Sequence, residues 1–372
     1  MIENFYSSAL KNLKEKNLYR SIVTSDVVDA VTIQRRKEKL ISFSSNDYFG
    51  LSQNLEVKKS AIDAIKKFGV GAGASRYVSG NNSLYEKLEK ALAKFKKCDD
   101  AIVFSSGYSC AIGVIPALVG EGDLIIADRL IHSSLIDGAK LSGARFIRFL
   151  HNDTLSCQKI LIENREQFKK CLIITETIFS MDGDVGKVSE LLRLAKQFDC
   201  ILISDDAHGL GFETTSHPQH LQLGTFSKAF GSLGGYVCGE KNLIDYLRNF
   251  SKSQIYSTAL PPAILAASLT SLKIIEKKNL GKKVLENAQY FCELMNLPKA
   301  KSAIVPIILG EAKKVLEVAK AVEEKGMLIS AIRPPTVEAG KSRLRITFSS
   351  EHKKSQIKKL AEILLWLKDN LS

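Results

Sequence analysis

Between residues 101 and 239 the chain alternates short apolar runs with longer segments of helical period. The runs occupy 101–104, 124–127, 145–150, 172–175, 201–204, 221–226 and 236–239. Most are apolar at successive positions rather than at every second one. Strands of that kind are buried on both faces, as in a largely parallel sheet covered by helices. From Pro262 to Leu294 the pattern turns helical and long, which predicts a connector leaving the sheet domain. Beyond it, 303–309 and 343–348 read as strands, and 313–325 and 353–371 as helices. The expected organisation is a helical arm with a short strand over 1–40, a large α/β domain over 41–275, and a small C-terminal α+β domain over 276–372.

Composition narrows the class. A chain of 372 residues with 45% hydrophobic content can bury the core of one large and one small domain. No apolar run reaches the roughly 18 residues of a membrane span. Residues 1–16 are charged and lack the apolar centre of a signal peptide. The seven cysteines show no CxxC spacing and sit mostly in apolar runs, so they read as reduced core residues of a cytosolic protein. The net charge of +13 invites a nucleic-acid reading. The lysines, however, are spread along helical segments such as 11–16 and 277–283 without interleaved aromatics. Solvated helix faces therefore account for them better, and a positive surface also suits steering of an anionic acyl carrier.

Two motifs carry chemistry. The first is Ser204-Asp205-Asp206-Ala207-His208-Gly209, a strand ending in two carboxylates and a histidine. The second is Thr225-Phe226-Ser227-Lys228-Ala229-Phe230-Gly231, a strand end followed by a lysine and a glycine-rich turn. Pyridoxal phosphate (PLP) needs a lysine for its Schiff base and a carboxylate against its ring nitrogen, which keeps the ring an electron sink. Asp205 and Asp206 are both candidates by chemistry, because adjacent strand-end residues point to opposite faces. Ligands of such sheets bind outside the carboxyl ends of the strands, where Ser180, Asp205 and Lys228 lie. Ser106, Gly107 and Tyr108 follow a strand and open a helix, whose free backbone N–H groups make an anion site for a phosphate. Gly69-Val70-Gly71-Ala72-Gly73-Ala74 mimics a dinucleotide fingerprint. It follows a helical pattern and lacks an acidic ribose partner, so close backbone approach to a cofactor or substrate is the expected reason for its glycines. No Walker or HExxH motif appears, and no metal site is expected.

These motifs resemble the α-oxoamine synthase family of PLP enzymes, with the fold-type-I transferase architecture: a mostly parallel central sheet flanked by helices, plus a small α+β domain. Further landmarks are Ser45-Asn46-Asp47-Tyr48-Phe49-Gly50-Leu51, Tyr77-Val78-Ser79-Gly80, Asp128-Arg129-Leu130-Ile131-His132-Ser133-Ser134 and Phe179-Ser180-Met181-Asp182-Gly183-Asp184. The likeness runs from about Arg20 to about Ser350. The segment Ala331-Ile332-Arg333-Pro334-Pro335-Thr336-Val337 is similar to the branch that joins L-alanine to a pimeloyl thioester in biotin synthesis.

The resemblance implies a set of roles. Lys228 forms the Schiff base and moves the substrate Cα proton; desolvation and nearby cations suit a lysine to both tasks. Asp205 is favoured over Asp206 as the pyridinium partner. His208 hydrogen-bonds the phenolic oxygen. His132 stacks on the ring, with helix capping as its ordinary alternative. Ser106, Gly107, Tyr108, Ser180, Thr225 and Ser227 contact the cofactor. Ser257 and Thr258 reach the phosphate of the other subunit, which implies a homodimer with shared active sites. Arg345 clamps the amino-acid carboxylate with its planar fork, assisted by Asn46. Arg20 and Thr336 contact substrate near the acyl entrance. The acyl carrier is coenzyme A or a carrier protein. Two features depart from the family pattern: a shortened loop after His208, and Tyr85 where a histidine is common. The rivals are the sister enzymes 2-amino-3-ketobutyrate ligase, 5-aminolevulinate synthase and serine palmitoyltransferase, and, from another class, a basic nucleic-acid-binding protein.

Overall fold

A computed structural model describes residues 2–212 and 220–370. The chain divides into two compact units. The larger comprises Leu51–Ser180 and Asp184–Gly281; the smaller comprises the chain up to Gly50, Met181–Gly183, and the chain from Lys282 onward. The N-terminal segment expected as a separate arm thus belongs to the smaller unit, and a three-residue piece of the Phe-Ser-Met-Asp-Gly-Asp motif joins it.

The strands in chain order are β1 (Asp26–Val27), β2 (Thr32–Arg35), β3 (Glu38–Ser42), β4 (Asp100–Phe104), β5 (Leu124–Asp128), β6 (Arg145–Phe149), β7 (Cys171–Glu176), β8 (Ile201–Asp205), β9 (Leu221–Thr225), β10 (Gly235–Gly239), β11 (Ile304–Gly310), β12 (Met327–Leu328), β13 (Ser330–Ile332) and β14 (Ser342–Thr347). The larger unit is built on a seven-stranded sheet in the order β4-β10-β9-β8-β7-β5-β6. β10 pairs antiparallel with both its neighbours, while the other pairings are parallel.

Burial explains why the apolar runs become these strands. Ile125, Ala127, Leu172, Ile174 and Ile203 pack with Val114, Ile115, Leu135 and Leu247 on one face. Leu124, Ile126, Ile173 and Leu202 pack with Cys157, Leu161, Leu191 and Ala195 on the other. Both parities are therefore taken from water, and each Leu or Ile so buried contributes about 1.5–3 kcal/mol of transfer free energy. The face of Leu172, Ile174 and Ile203 also carries Glu176, two residues after Ile174, and Asp205, two residues after Ile203, in the same alternation.

In the smaller unit, β1-β2-β3-β12 and β11-β14-β13 form two further sheets. The two-residue β12 and three-residue β13 had no readable period. The expected long connector is two helices, Pro262–Lys277 and Leu280–Leu294, so 277–283 spans a break and not one basic face. Elsewhere exposed lysines pair with glutamates one turn away, as in Lys11–Glu15, Lys159–Glu163 and Lys358–Glu362. Solvated, locally matched helix faces absorb much of the basic character in this way. Gly69 and Gly73 have φ of +85° and +69°, and nothing lies within 4 Å of a Cβ placed at 69, 71 or 73. Conformation, not close approach within the chain, explains those two glycines. No helix of the described residues is long and apolar enough to cross a membrane. The seven cysteines are free.

Candidate active site

At the carboxyl end of β8 the chain separates its two aspartates. Asp206 is 1% exposed; its Oδ2 lies 2.5 Å from Lys96 Nζ, and its Oδ1 accepts the Thr177 hydroxyl at 2.8 Å. Those partners occupy the carboxylate as a structural ion pair. Asp205 points the other way, into a cavity of about 260 Å³. The alternation of the strand thus puts Asp205, and not Asp206, in the cavity.

Ser106, Gly107, Tyr108, His132, Asp205, His208, Thr225, Ser227 and Lys228 all line this one cavity. They come from the ends of β4, β5, β8 and β9, which all run in one direction and so finish at a common edge of the sheet. Lys228 Nζ lies 2.8 Å from His208 Nε2. The Thr225 hydroxyl donates to the Gly234 carbonyl at 2.8 Å and lies 2.7 Å from Ser227 Oγ. Gly107 begins a helix running to Leu118, and Ser106 caps it reciprocally with Ser109. Ser106 Oγ accepts the Ser109 N–H, and Ser109 Oγ accepts the Ser106 N–H, both at 2.9 Å. This tight start depends on Gly235, where a Cβ would stand 2.4 Å from the Ser106 carbonyl oxygen.

His132 caps a helix and faces the cavity at once. It is the N-cap of the helix Ser133–Ser142, its Nδ1 accepting the Ser134 N–H at 3.2 Å, and its ring lines the cavity. Burial first lowers its pKa, and Lys228 adds to the effect while Asp205 opposes it. Burial raises the Asp205 pKa; the charges of Lys228 and His132 and the Ala207 N–H, 2.9 Å from Oδ1, pull it back.

Other expected residues lie elsewhere. Ser180 is buried, and its backbone N–H faces the Glu176 carboxyl; it does not line the cavity. Thr258 is exposed and bridges to Ser75. In the smaller unit, Arg345 is 5% exposed, and both its terminal nitrogens lie 3.2 Å from Asn46 Oδ1. Its neighbour Arg343 is paired with Asp182 instead. Arg20 reaches Thr336 Oγ1 and the Pro334 carbonyl, each at 3.4 Å. Tyr85 is a core residue: its hydroxyl accepts the Leu260 N–H at 2.6 Å, and the Arg76 guanidinium lies 4.0 Å over its ring. The shortened loop from Gly209 to Leu221 lies mostly, at 213–219, outside the described residues.

Glu176 was not foreseen. It lines the cavity at 2% exposure, and its Oε1 has no hydrogen-bond partner. A carboxylate closing an apolar run was the available signal, but the run reads as ending at 175. The complete set is a lysine, a carboxylate, an imidazole and a helix amino end around a small concave space. That donor set fits a flat, anionic, pyridine-bearing group such as PLP. Among the described residues no cluster fits a metal ion.

The comparisons agree. Residues 38–364 match the model of class I and II aminotransferases. The 8-amino-7-oxononanoate synthase of Methylorubrum populi is 42% identical, over 98% of this chain and 94% of its own length. That of Methylobacterium sp. (strain 4-46) is 42% identical over 98% and 96%. Among solved structures, serine palmitoyltransferase from S. paucimobilis with bound PLP superposes with a TM-score of 0.91 at 25% identity, covering 98% of this chain and 97% of that one. The 8-amino-7-oxononanoate synthase of Francisella tularensis gives 0.75 at 29% identity, covering 90% and 99%. The chain belongs to the class I and II aminotransferase family and, within it, to the 8-amino-7-oxononanoate synthases.

Proposed function

We propose that this chain joins L-alanine to a pimeloyl thioester, with loss of carbon dioxide and release of the thiol, to form 8-amino-7-oxononanoate for biotin synthesis. The observation that carries the reading is the meeting of Lys228, His208, Asp205 and His132 in one cavity at the amino end of a helix. PLP bound there would supply the electron sink for charge at the alanine Cα. Lys228 holds the cofactor and moves the Cα proton through Nζ. Asp205 holds the proton of the ring nitrogen, and His208 orients the phenolic oxygen. His132 keeps water from one face of the ring. The helix start at Gly107, with Ser106, Tyr108, Thr225 and Ser227, receives the phosphate, and Ser180 supports the floor of the site through Glu176. Arg345, held by Asn46, takes the amino-acid carboxylate as a bidentate partner. Arg20 and Thr336 meet the acyl chain. The new bond joins the alanine Cα to the thioester carbonyl carbon as the thiolate leaves; the alanine carboxylate then departs as carbon dioxide, and Lys228 Nζ returns a proton to the Cα.

A net charge of +13 suits an anionic carrier, coenzyme A or an acyl carrier protein. A homodimer with Ser257 and Thr258 serving the partner's phosphate is supported by a nearby exposed apolar group. Val70, Val78 and Tyr256 are 79%, 80% and 81% exposed, on segments tied by the Ser75–Thr258 bridge. Seven free cysteines suit a reducing cytoplasm.

The test is visible absorbance of the purified protein with PLP, then with L-alanine, then with pimeloyl-CoA while free thiol is measured. The reading expects a cofactor band that alanine perturbs and that Lys228→Ala abolishes, with thiol released only when both substrates are present. A band that answers to glycine or serine but not alanine moves the substrate to that of a sister enzyme. No band with added PLP overturns the reading.

A further inference from the structure

Glu176 is the residue the mechanism above leaves without chemistry of its own. β7 and β8 run parallel with Glu176 directly opposite Asp205. Register partners on neighbouring strands share a face and stand about 5 Å apart, so two carboxyl groups enter the cavity side by side. The groups facing Glu176 are Asp205 on β8, His208 in the turn after it, Lys228 beyond β9, and His132 at the head of its helix; Tyr108 and Cys110 lie on the helix beginning at Gly107. Lys228 is engaged with His208. Two adjacent buried carboxylates beside a single lysine do not both ionise, and the pair retains a proton.

Which carboxyl keeps it follows from the partners. The Asp205 Oδ1 accepts a backbone N–H, and the charges of Lys228 and His132 favour its ionised form. Glu176 is 2% exposed; the N–H groups of His132 and Ser180 face its carboxyl, yet Oε1 has no partner. A buried carboxyl oxygen that accepts no hydrogen bond fits a neutral carboxylic acid whose O–H points into the cavity.

We propose that Glu176 is a positioning residue kept as a neutral carboxylic acid, whose Oε1–H donates a hydrogen bond to an anionic oxygen bound beside Asp205. Burial and then the charge of Asp205 push its carboxyl well above the ordinary range, against Lys228 and the two backbone N–H groups. The neutral acid leaves Asp205 as the ionised member of the pair and anchors the His132 backbone at the same time. This inference rests on the PLP reading for the identity of the bound oxygen, but not for the protonation of Glu176.

The experiment compares wild type, Glu176→Gln and Glu176→Met. Glutamine is neutral and donates from the same place; methionine fills the space without a donor. PLP affinity, from absorbance titration, is expected to be nearly unchanged in Glu176→Gln and weakened about tenfold or more in Glu176→Met, the effect of losing one hydrogen bond to a charged group. The second readout uses the cofactor-free protein. A carboxyl with a raised folded-state pKa contributes stability below its unfolded pKa of about 4.3 that is lost as pH rises toward the folded value. Wild type is therefore expected to lose melting temperature relative to Glu176→Gln as pH rises above about 4.3. A constant difference over that rise, or a PLP affinity as weak in Glu176→Gln as in Glu176→Met, overturns the proposal. If Glu176→Met does not fold, the glutamine variant decides alone. If wild type takes up no PLP, the functional reading fails, and the melting series still decides the protonation.

Discussion

Asp205 and Asp206 are neighbours in the chain and opposites in the structure. On the Asp206 side every charge is matched: Lys96, at 4% side-chain exposure, meets Asp206, and Thr177 takes its other oxygen. The same order governs His151, whose Nδ1 lies 3.0 Å from Asp128 Oδ1 and whose Nε2 lies 2.9 Å from Asp184 Oδ2. On the Asp205 side two carboxyl groups compete for one lysine, and Glu176 Oε1 has no partner. The difference teaches where each kind of residue acts. Matched charges hold the strand ends in register, whereas the imbalanced set stores an electrostatic demand that a ligand relieves. The two sides should respond to mutation in opposite ways.

The largest separation is expected at the lysines. Lys228→Ala should lower the condensation rate by at least about 10³-fold, the scale of losing a covalent anchor and its proton transfer. Its cofactor-free melting temperature should fall little. Lys96→Met should show the reverse: a loss of about 3–5 kcal/mol in denaturant unfolding, because Asp206 is left as an uncompensated buried charge. Its folded fraction should still take up the cofactor. If Lys228→Ala unfolds the protein while Lys96→Met leaves stability unchanged, the comparison is wrong.

Asp205→Asn is the next test. Turnover should drop by about 10²-fold, as when one preorganised electrostatic partner is removed. Stability of the cofactor-free protein should hold or rise, since a neutral amide of the same shape replaces a carboxylate whose charge burial disfavours.

The smallest effect is the pH dependence of the matched side. Burial opposes charge on His151, but its hydrogen bonds to Asp128 and Asp184 and their charges raise its pKa to about 10. A histidine raised in this way contributes stability that is complete below about pH 6.5 and is lost as pH rises toward the folded value. Melting temperature should therefore decline from neutral pH toward about pH 10, and His151→Gln should flatten that decline. In the smaller unit His352 behaves oppositely. It stacks on Phe43 with ring centroids 4.1 Å apart, and burial lowers its pKa to about 4, against the Ser42 carbonyl. Its contribution is present above about pH 6.5 and is lost as pH falls toward about 4. His352→Gln should remove that acid slope and leave the alkaline one, which a single scan of melting temperature against pH can resolve.

How far the sequence reaches depends on the range of the interaction. The central strands were legible because burial on both faces leaves a continuous apolar run, a local mark of a global arrangement. Lys228 and His208 were legible because their motifs carry their own strand ends and turns. The break after Lys277 was not, because both helices around it are apolar enough to read as one. Nor was the membership of Met181–Gly183 in the smaller unit, where a Cβ at Gly183 would stand 2.3 Å from the Ile304 carbonyl oxygen, a neighbour far away in the chain. Glu176 was missed because a carboxylate at a strand end looks like an ordinary solvent-facing residue until its neighbour is known.

The sequence by itself determined the α/β class, the strands of the large sheet, the lysine and the strand-end carboxylates, since each is written in residues close together along the chain. Only the tertiary structure decided which aspartate faces the cavity, that Glu176 stands opposite Asp205, and that Arg20 meets Thr336 and Asn46 meets Arg345 across some three hundred residues. Strand register and burial set those outcomes, and both are properties of pairing between distant segments that no local pattern encodes.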